Sequence, residues 1–145
     1  MAAEPVFVDT NVLVYSSRAT AIHNLQARVR LAELEDSLCP LWISWQVLRE
    51  FLAVVTRAQP NHPAMDLAQA VEYVAKLQQT FAIAPETQSV FARLTSLLAT
   101  IPSAGKQIHD TNLVATMLEA GIHRLLTFNQ RDFRRFAGHI ELIDP

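Results

Sequence analysis

Four acidic side chains stand where a carboxylate is costly unless it has a compensating partner. Asp9 interrupts an apolar run directly after Val6–Val8, and Glu50 lies inside a strongly apolar stretch. Asp110 follows a flexible loop, at or near the start of a helix, and Asp132 comes shortly after another apolar segment. Burying an unpaired charge is unfavourable. Acids brought together would repel one another unless a cation lay between them.

Carboxylate oxygens of this kind favour Mg²⁺ or Mn²⁺ over zinc. The five histidines are scattered, and Cys39, the only cysteine, completes no Cys/His ligand pattern. One hard ion makes a bound water more acidic, and two ions together stabilise the attacking and leaving oxygens of an in-line displacement. A cluster of acids holding one or two such ions therefore suits hydrolysis of a phosphodiester.

Each acid also has an ordinary structural interpretation. Asp9 and Asp110 could simply cap the helices that follow them, since aspartate is favoured at a helix N-terminus. Asp132 could do no more than cap a short final turn, and Glu50 could pair with an arginine or face solvent. No single acid is specific, so the chemical hypothesis depends on the four segments together.

Strands and helices are predicted to alternate along the chain, which favours a mainly parallel sheet covered on both faces. Right-handed crossovers bring the loops after the strands to one edge, where such sheets carry their functional crevice. Asp9 and Asn129 each follow a predicted strand and so belong to that edge. The predicted strands are 6–8, 41–44, 81–84, 124–128 and 140–143; the predicted helices begin at Thr10 or Asn11 and then span 21–36, 45–57, 64–79, 88–100 and 109–121.

Composition limits the classes of protein to be considered. The chain has 145 residues and no internal repeat, which predicts one domain, 1–145. A net charge of -2 and a pI of about 6.2 argue against a strongly basic nucleic-acid binder. The single cysteine, the absence of a signal-peptide pattern in "MAAEP" and the lack of an apolar run of about 20 residues favour a cytoplasmic protein without a membrane span. A mean hydropathy of +0.15 predicts some exposed apolar surface, as at an interface.

Four segments in order, "VDTNVLVY", "SWQVLREF", "HDTNLVATMLEAGI" and "LLTFNQRDF", resemble the motifs of the PIN-domain family. The similarity is greatest to its VapC-type toxin branch and runs from Val6 to about Asp144. The resemblance implies a three-layer α/β/α sandwich with a mainly parallel sheet of about five strands.

The resemblance also assigns site residues. One feature departs from the acid-rich form of the last motif, because Asn129 stands at its first position and the second acid is Asp132. The fourth metal ligand is then Asp132, or a second ion binds weakly, and the choice between one-metal and two-metal action stays open. The implied catalytic and metal-binding acids are Asp9, Glu50, Asp110 and Asp132, with Thr10, Asn11, Thr127 and Asn129 as supporting residues.

The activity implied is that of a Mg²⁺- or Mn²⁺-dependent endoribonuclease. Such an enzyme cuts single-stranded or loop RNA, with tRNA or rRNA as the expected substrates, and leaves a 5′-phosphate and a 3′-hydroxyl. Toxins of this branch are usually homodimers and are restrained by a small antitoxin, which lays a helix across the toxin. We expect the helices around 21–36 and 44–79 to supply the groove for that helix.

Two further features have competing interpretations. Arg134 and Arg135 flank the last acid, and our hypothesis is that one or both contact RNA phosphate, although a solvated helix face is the more common role. Trp42 and Trp45 could stack on bases, but within "LWISW" they are predicted to pack in the core.

Other protein classes fit less well. A haloacid-dehalogenase phosphatase needs a second aspartate two residues after the first, and this chain has Asn11 there. A receiver domain needs a lysine at a late strand end, whereas the only lysines are Lys76 and Lys106. The stronger alternative is a catalytically degenerate module of the same fold that only binds RNA or protein.

Overall fold

The computed structural model describes residues 3–145; Met1 and Ala2, which begin the segment considered for a signal peptide, lie outside the described residues. Within that range five parallel strands form one sheet in the order β3-β2-β1-β4-β5. At its centre, Phe7 is paired with Trp42 on one side and Leu125 on the other. The strands are β1 (Val6–Val8), β2 (Leu41–Ser44), β3 (Ala82–Ala84), β4 (Arg124–Leu126) and β5 (Glu141–Ile143).

Helices occupy the connections between the strands, as predicted for a three-layer α/β/α sandwich. Right-handed crossovers place the first four helices on one face of the sheet and the others on the opposite face. In the described chain no helix has the length and apolarity of a membrane span. The helices are α1 (Thr10–Ser17), α2 (Asn24–Asp36), α3 (Trp45–Val55), α4 (Leu67–Thr80), α5 (Gln88–Thr100), α6 (Gln107–Glu119) and α7 (Gln130–Phe133), with a 3-10 turn at Arg134–Phe136.

Helix packing agrees with this division of the layers. α1 packs against α2 and α3, and α3 packs against α4, whereas α5 packs against α6. The chain runs from β1 outward to β2 and β3, then resumes at β4 on the other side of β1. The order in which strands are added to the sheet therefore reverses between β1 and β4. In open parallel sheets the crevice at the carboxyl ends of two such strands is the usual binding site.

Several helix starts follow from their capping residues, as predicted. The side chain of Ser44 accepts a hydrogen bond from the Val47 amide at the start of α3. Thr87 does the same for the Val90 amide at the start of α5. These hydroxyls satisfy amide groups that have no partner within the first turn of a helix.

Three helix starts differ from the predictions, and tertiary contacts account for two of them. α2 begins at Asn24, whose side chain donates to the carbonyls of Tyr15 and Ser16 and ties the end of α1 to α2. α4 begins at Leu67, since the Met65 amide donates to the Val55 carbonyl at the end of α3. α6 begins two residues earlier than predicted, at Gln107.

The core confirms most of the apolar assignments. Phe7, Phe51, Phe133 and Phe136 are fully buried, and Trp42 is partly buried and packs against the core. The prediction for Trp45 was wrong, since this residue is 42% exposed. Trp45 is the first residue of α3 and lies off the stripe at positions 47, 51 and 55, which turns toward the core.

Candidate functional site

A cavity of about 600 Å³ opens at the carboxyl end of β1, between the starts of α1 and α6 and one side of α3. Asp9, Glu50 and Asp110 all line it, together with Asn129 from the turn after β4. Side chains that are 19 to 120 residues apart in the chain thus share one space. The gathering of acids expected at the sheet edge is present for these three.

Asp9 is only 7% exposed, and its carboxylate accepts three hydrogen bonds. One oxygen accepts from the Thr10 amide at 2.7 Å, so Asp9 also caps α1. The other accepts from Thr127 Oγ1 at 2.8 Å and from Asn11 Nδ2 at 3.1 Å. The capping interpretation and the site interpretation are therefore both compatible with its position.

A polar network joins the ends of β1 and β4 around that carboxylate. Thr127 Oγ1 accepts from Asn11 Nδ2 at 3.1 Å and from the Asn129 amide at 2.9 Å. Asn11 Oδ1 accepts from the Phe128 amide at 3.1 Å. β4 ends at Leu126, two residues earlier than predicted, because the amides that follow bond to these side chains instead of to a strand.

Glu50 is held by two neutral donors. Its oxygens accept from Thr10 Oγ1 at 3.0 Å and from Gln46 Nε2 at 2.9 Å. Arg49, the arginine beside it in sequence, pairs with Glu86 instead. Glu50 lies partly buried on the cavity wall, so its own ordinary interpretations, an arginine partner or an outward position, do not describe it.

Gln46 is a residue that the sequence reasoning missed. It is buried, and besides binding Glu50 it donates to the His109 carbonyl at 2.8 Å and accepts from Asn112 Nδ2 at 2.7 Å. This amide connects α3 to α6. Its spacing of four residues from Glu50 places both on one helix face, which is the signal that could have revealed it.

Asp110 lies in the first turn of α6 and is not its cap, because Lys106 occupies the capping position. Arg135 is the cation near this carboxylate. Its Nη2 donates to the Gln107 carbonyl at 3.1 Å, and its guanidinium lies 4.8 Å from the centre of the Phe136 ring. Arg135 therefore stands at the margin of the acid cluster.

Burial raises the pKa of Asp9 to about 6, against the lowering effect of its hydrogen bonds from Thr127 and Thr10. The charges of Glu50 and Asp110 raise it further. Burial likewise raises the pKa of Asp110 to about 6; Arg135 lowers that pKa, while Asp132 and Glu50 raise it. The acids are close enough to disfavour one another's charged forms.

The two polar residues of the last motif lie in different places: Asn129 faces the cavity, and Asp132 lies at its rim. Asn129 lines the cavity, and its Nδ2 donates to Asp132 Oδ2 at 2.8 Å. Asp132 itself is exposed behind that amide. Arg134 is exposed in the 3-10 turn, and its side chain makes no hydrogen bond or ion pair with the rest of residues 3–145, so its RNA contact stays a prediction.

The side chains that face the cavity determine which kind of ion could bind there. Among residues 3–145 no three acidic, histidine or cysteine side chains already converge closely enough to share one ion. Asp9, Glu50 and Asp110 nevertheless face one cavity with oxygen donors only. Neutral groups orient Asp9 and Glu50, and no basic side chain pairs with either of them in the described chain. Such a set fits a hard divalent cation.

Among the described residues no acid lines the other end of the cavity, and the sequence motifs did not indicate this end. Tyr15 and Arg18 of the first helix and its cap line this end, together with Gln59. The three-residue spacing of Tyr15 and Arg18 puts them on one side of α1. Only the fold shows that this side is continuous with the acids.

Comparison with solved structures gives the same architecture at low sequence identity. Mycobacterium tuberculosis VapC20, a sarcin–ricin loop cleaving toxin, is 19% identical with a TM-score of 0.70, covering 97% of this chain and 99% of that one. VapBC2 from Rickettsia felis, bound to a DNA fragment from its promoter, is 17% identical with a TM-score of 0.70, covering 97% and 98%. VapBC-1 from nontypeable Haemophilus influenzae is 16% identical with a TM-score of 0.68, covering 96% of each chain.

These similarities show the fold, and they confirm the predicted PIN-like sandwich. No curated protein sequence matches the chain significantly. The family model of the PIN domain matches residues 6–139, which include all four motif segments. The chain therefore belongs to the PIN domain family.

Proposed function

We propose that this chain is a metal-dependent endoribonuclease and the toxin of a type II toxin–antitoxin pair. The observation that carries the proposal is that Asp9, Glu50 and Asp110 meet in one cavity of a PIN domain. This cavity lies where the strand order of the sheet reverses, between β1 and β4. Two of these acids have pKa values raised to about 6, which is typical of groups placed for function.

Asp9, Glu50 and Asp110 would hold a Mg²⁺ or Mn²⁺ ion. Such an ion, when bound, supplies a more acidic water and offsets the charge of the scissile phosphate. The chain's own residues orient the ligands: Thr127 and Asn11 fix the Asp9 carboxylate, and Thr10 and Gln46 fix Glu50. Partners of this kind usually decide how well a ligand set binds.

The proposed reaction is the hydrolysis of an RNA phosphodiester by one water molecule. Water adds to phosphorus, the bond from phosphorus to the 3′ oxygen breaks, and a proton from the water ends on that oxygen. The products are a 5′-phosphate and a 3′-hydroxyl. Arg135 is the better placed of the two arginines to contact the phosphate, because its charge acts on Asp110, whereas Arg134 is exposed and does not act on that acid.

The number of ions depends on the last motif. Asn129 presents a neutral amide to the cavity, and Asp132 lies behind it. We infer that the three cavity acids hold the tighter ion, and that Asp132 reaches a second one only after releasing Asn129.

The assignment as a toxin rests on kinship and surface composition. Two of the similar structures are VapBC assemblies, one of them on promoter DNA. Exposed apolar residues lie on α2 and α4, the helices from which the antitoxin groove was expected, among them Leu25, Val29, Leu67 and Val71. We propose a homodimer restrained by a small antitoxin, acting in the cytoplasm on tRNA or rRNA.

The test is cleavage of end-labelled total tRNA and rRNA by purified protein with Mg²⁺ or Mn²⁺. Asp9→Asn protein, purified in parallel, controls for a contaminating nuclease, and intact mass excludes antitoxin carry-over. Discrete metal-dependent bands that the variant does not produce support the proposal. Absence of such bands, together with no Mn²⁺-dependent rise in melting temperature, would favour the degenerate binding module instead.

A further inference from the structure

The cavity is larger than the acid cluster requires. A water occupies about 30 Å³ in the liquid, so a hydrated ion fills only part of the 600 Å³ space. Beyond the acids the cavity continues between α1 and the end of α3. We call this part the α1–α3 end; it is lined by Val14, Tyr15, Arg18, Ala53, Val54 and Gln59.

Arg18 is the single cation lining the α1–α3 end in the described chain. Its Nη1 donates to Gln59 Oε1 at 3.2 Å and its Nη2 to the Val54 carbonyl at 3.4 Å. No carboxylate lies within ion-pair distance of it among residues 3–145. Since a guanidinium has five N–H donors, these two bonds hold the group in place and leave donors for a ligand.

Gln59 adds donors at the same place. Its amide oxygen is used by Arg18, so its NH₂ group is the part left over. Its backbone is also fixed, because Gln59 and His62 exchange two amide–carbonyl bonds of 2.8 and 3.0 Å. The polar wall of the α1–α3 end thus presents donors rather than acceptors.

The α1–α3 end also has a rigid aromatic lining. The Tyr15 ring packs edge-on against His23 at 5.1 Å and against Phe128 at 5.0 Å between centroids. His23 stacks on Phe128 at 4.9 Å. An aromatic side chain held by two others offers a preordered surface for a planar group, and bases stack favourably on such surfaces.

We propose that the α1–α3 end binds the nucleobase next to the cleaved bond and favours guanine. The proposal rests on the proposed ribonuclease function. Guanine O6 and N7 are adjacent acceptors that match a guanidinium in two parallel hydrogen bonds. Adenine places an amino donor where guanine has O6, which would face the donors of Arg18 and Gln59. Apolar Val14 and Val54 suit the faces of a base better than a phosphate.

The first measurement maps cleavage sites on denatured random-sequence RNA. Wild-type protein is compared with Arg18→Lys, which keeps the charge but loses the paired donors, and with Arg57→Lys, an exposed arginine outside the cavity. Guanine enrichment at one position flanking the cut is expected for wild type and Arg57→Lys. In Arg18→Lys the ratio of guanine to the other bases at that position should fall by about 10-fold. Equal preference in all three proteins, or none in wild type, would overturn the proposal.

The second measurement does not need cleavage. Saturation-transfer NMR with 5′-GMP, 5′-AMP, 5′-CMP and 5′-UMP, without divalent metal, reports contact of each base with the protein. Base protons of GMP should be enhanced most, and Arg18→Lys should reduce that enhancement while Arg57→Lys does not. If wild type cuts no RNA but this result holds, the base site stands and the nuclease function falls. Equal or absent signals for the four nucleotides count against the base site.

Discussion

The two ends of the cavity carry opposite charges, and at each end neutral groups hold charged side chains by hydrogen bonds. At one end three carboxylates meet, and hydrogen bonds from neutral groups orient two of them without neutralising their charge. At the α1–α3 end a guanidinium is held by an amide oxygen and a carbonyl, and within residues 3–145 no acid pairs with it. The charges at both ends are therefore not neutralised within the protein. The acid end can bind a cation, and the α1–α3 end can bind an electron-rich ligand. Substitutions of Asp9, Gln46 and Asp132, and a change of pH, each test this difference between the two ends.

Asp9→Asn should have the largest effect. Loss of the central carboxylate is expected to lower RNA cleavage by on the order of 10²–10³-fold or more, as for removal of a main electrostatic group. The quantity to measure is the single-turnover rate with Mn²⁺ beside a circular dichroism spectrum. A folded variant that cleaves at the wild-type rate would remove Asp9 from the mechanism.

The stability of that variant reflects two opposing terms. Asparagine removes a buried charge, but its amide NH₂ would face Asn11 Nδ2, which cannot turn away because Asn11 Oδ1 binds the Phe128 amide. Buried bonds to a charged acceptor contribute about 1.5–3 kcal/mol each. We therefore expect little net change in the free energy of unfolding.

Gln46→Ala tests whether the amide that connects α3 to α6 matters to the acid end. Without it Glu50 loses one donor, and the Asn112 amide and the His109 carbonyl lose a partner. A fall of about 10- to 100-fold in Mn²⁺ affinity is expected, as for other partners of metal ligands. Calorimetric titration measures it, with the exposed Gln78→Ala as control; equal affinities in both variants would show that Gln46 is only structural.

The pH dependence of stability should report the buried charge of Asp9. Its pKa is raised from about 3.8 in the unfolded chain to about 6 in the fold. The stability that protonation provides is complete below about pH 4 and is lost as pH rises through 6. At about 1.4 kcal/mol per pH unit this approaches 3 kcal/mol.

Melting temperatures between pH 4 and 7 in chelator measure this effect. A decline of several degrees is expected in the wild type, and a shallower one in Asp9→Asn. Mg²⁺ should restore part of the loss at pH 7 in the wild type alone. Parallel curves for the two proteins would contradict the assignment of the charge to Asp9.

Asp132→Asn should have the smallest effect on cleavage. Asp132 is exposed and separated from the cavity by Asn129, so a decrease of only a few-fold is expected. The pKa of Asp110 should fall slightly, since Asp132 raises it. The rate against Mn²⁺ concentration provides the measurement, and a loss as large as that of Asp9→Asn would establish Asp132 as an essential ligand.

Local signals in the sequence were sufficient for much of the scaffold. Ser44 and Thr87 mark helix starts because a capping hydroxyl acts within three residues. Val6–Val8 is a strand because three consecutive apolar, mostly β-branched residues suit the buried centre of a parallel sheet. The start of α2 was misplaced since it depends on contacts between Asn24 and α1.

By itself the sequence determined the PIN-domain family, the order of strands and helices, and which acids to consider, because motif spacing and apolar periodicity are properties of neighbouring residues. The tertiary structure was needed to show that Gln46 links Glu50 to the His109 carbonyl of α6, that Asn129 stands in front of Asp132, and that Arg18 and Tyr15 share the cavity with the acids. Gln46 and His109 are 63 residues apart in the chain, and Arg18 and Gln59 are 41 apart. Contacts of that kind follow from the packing of α1, α3 and α6 at one edge of the sheet, which no local pattern contains.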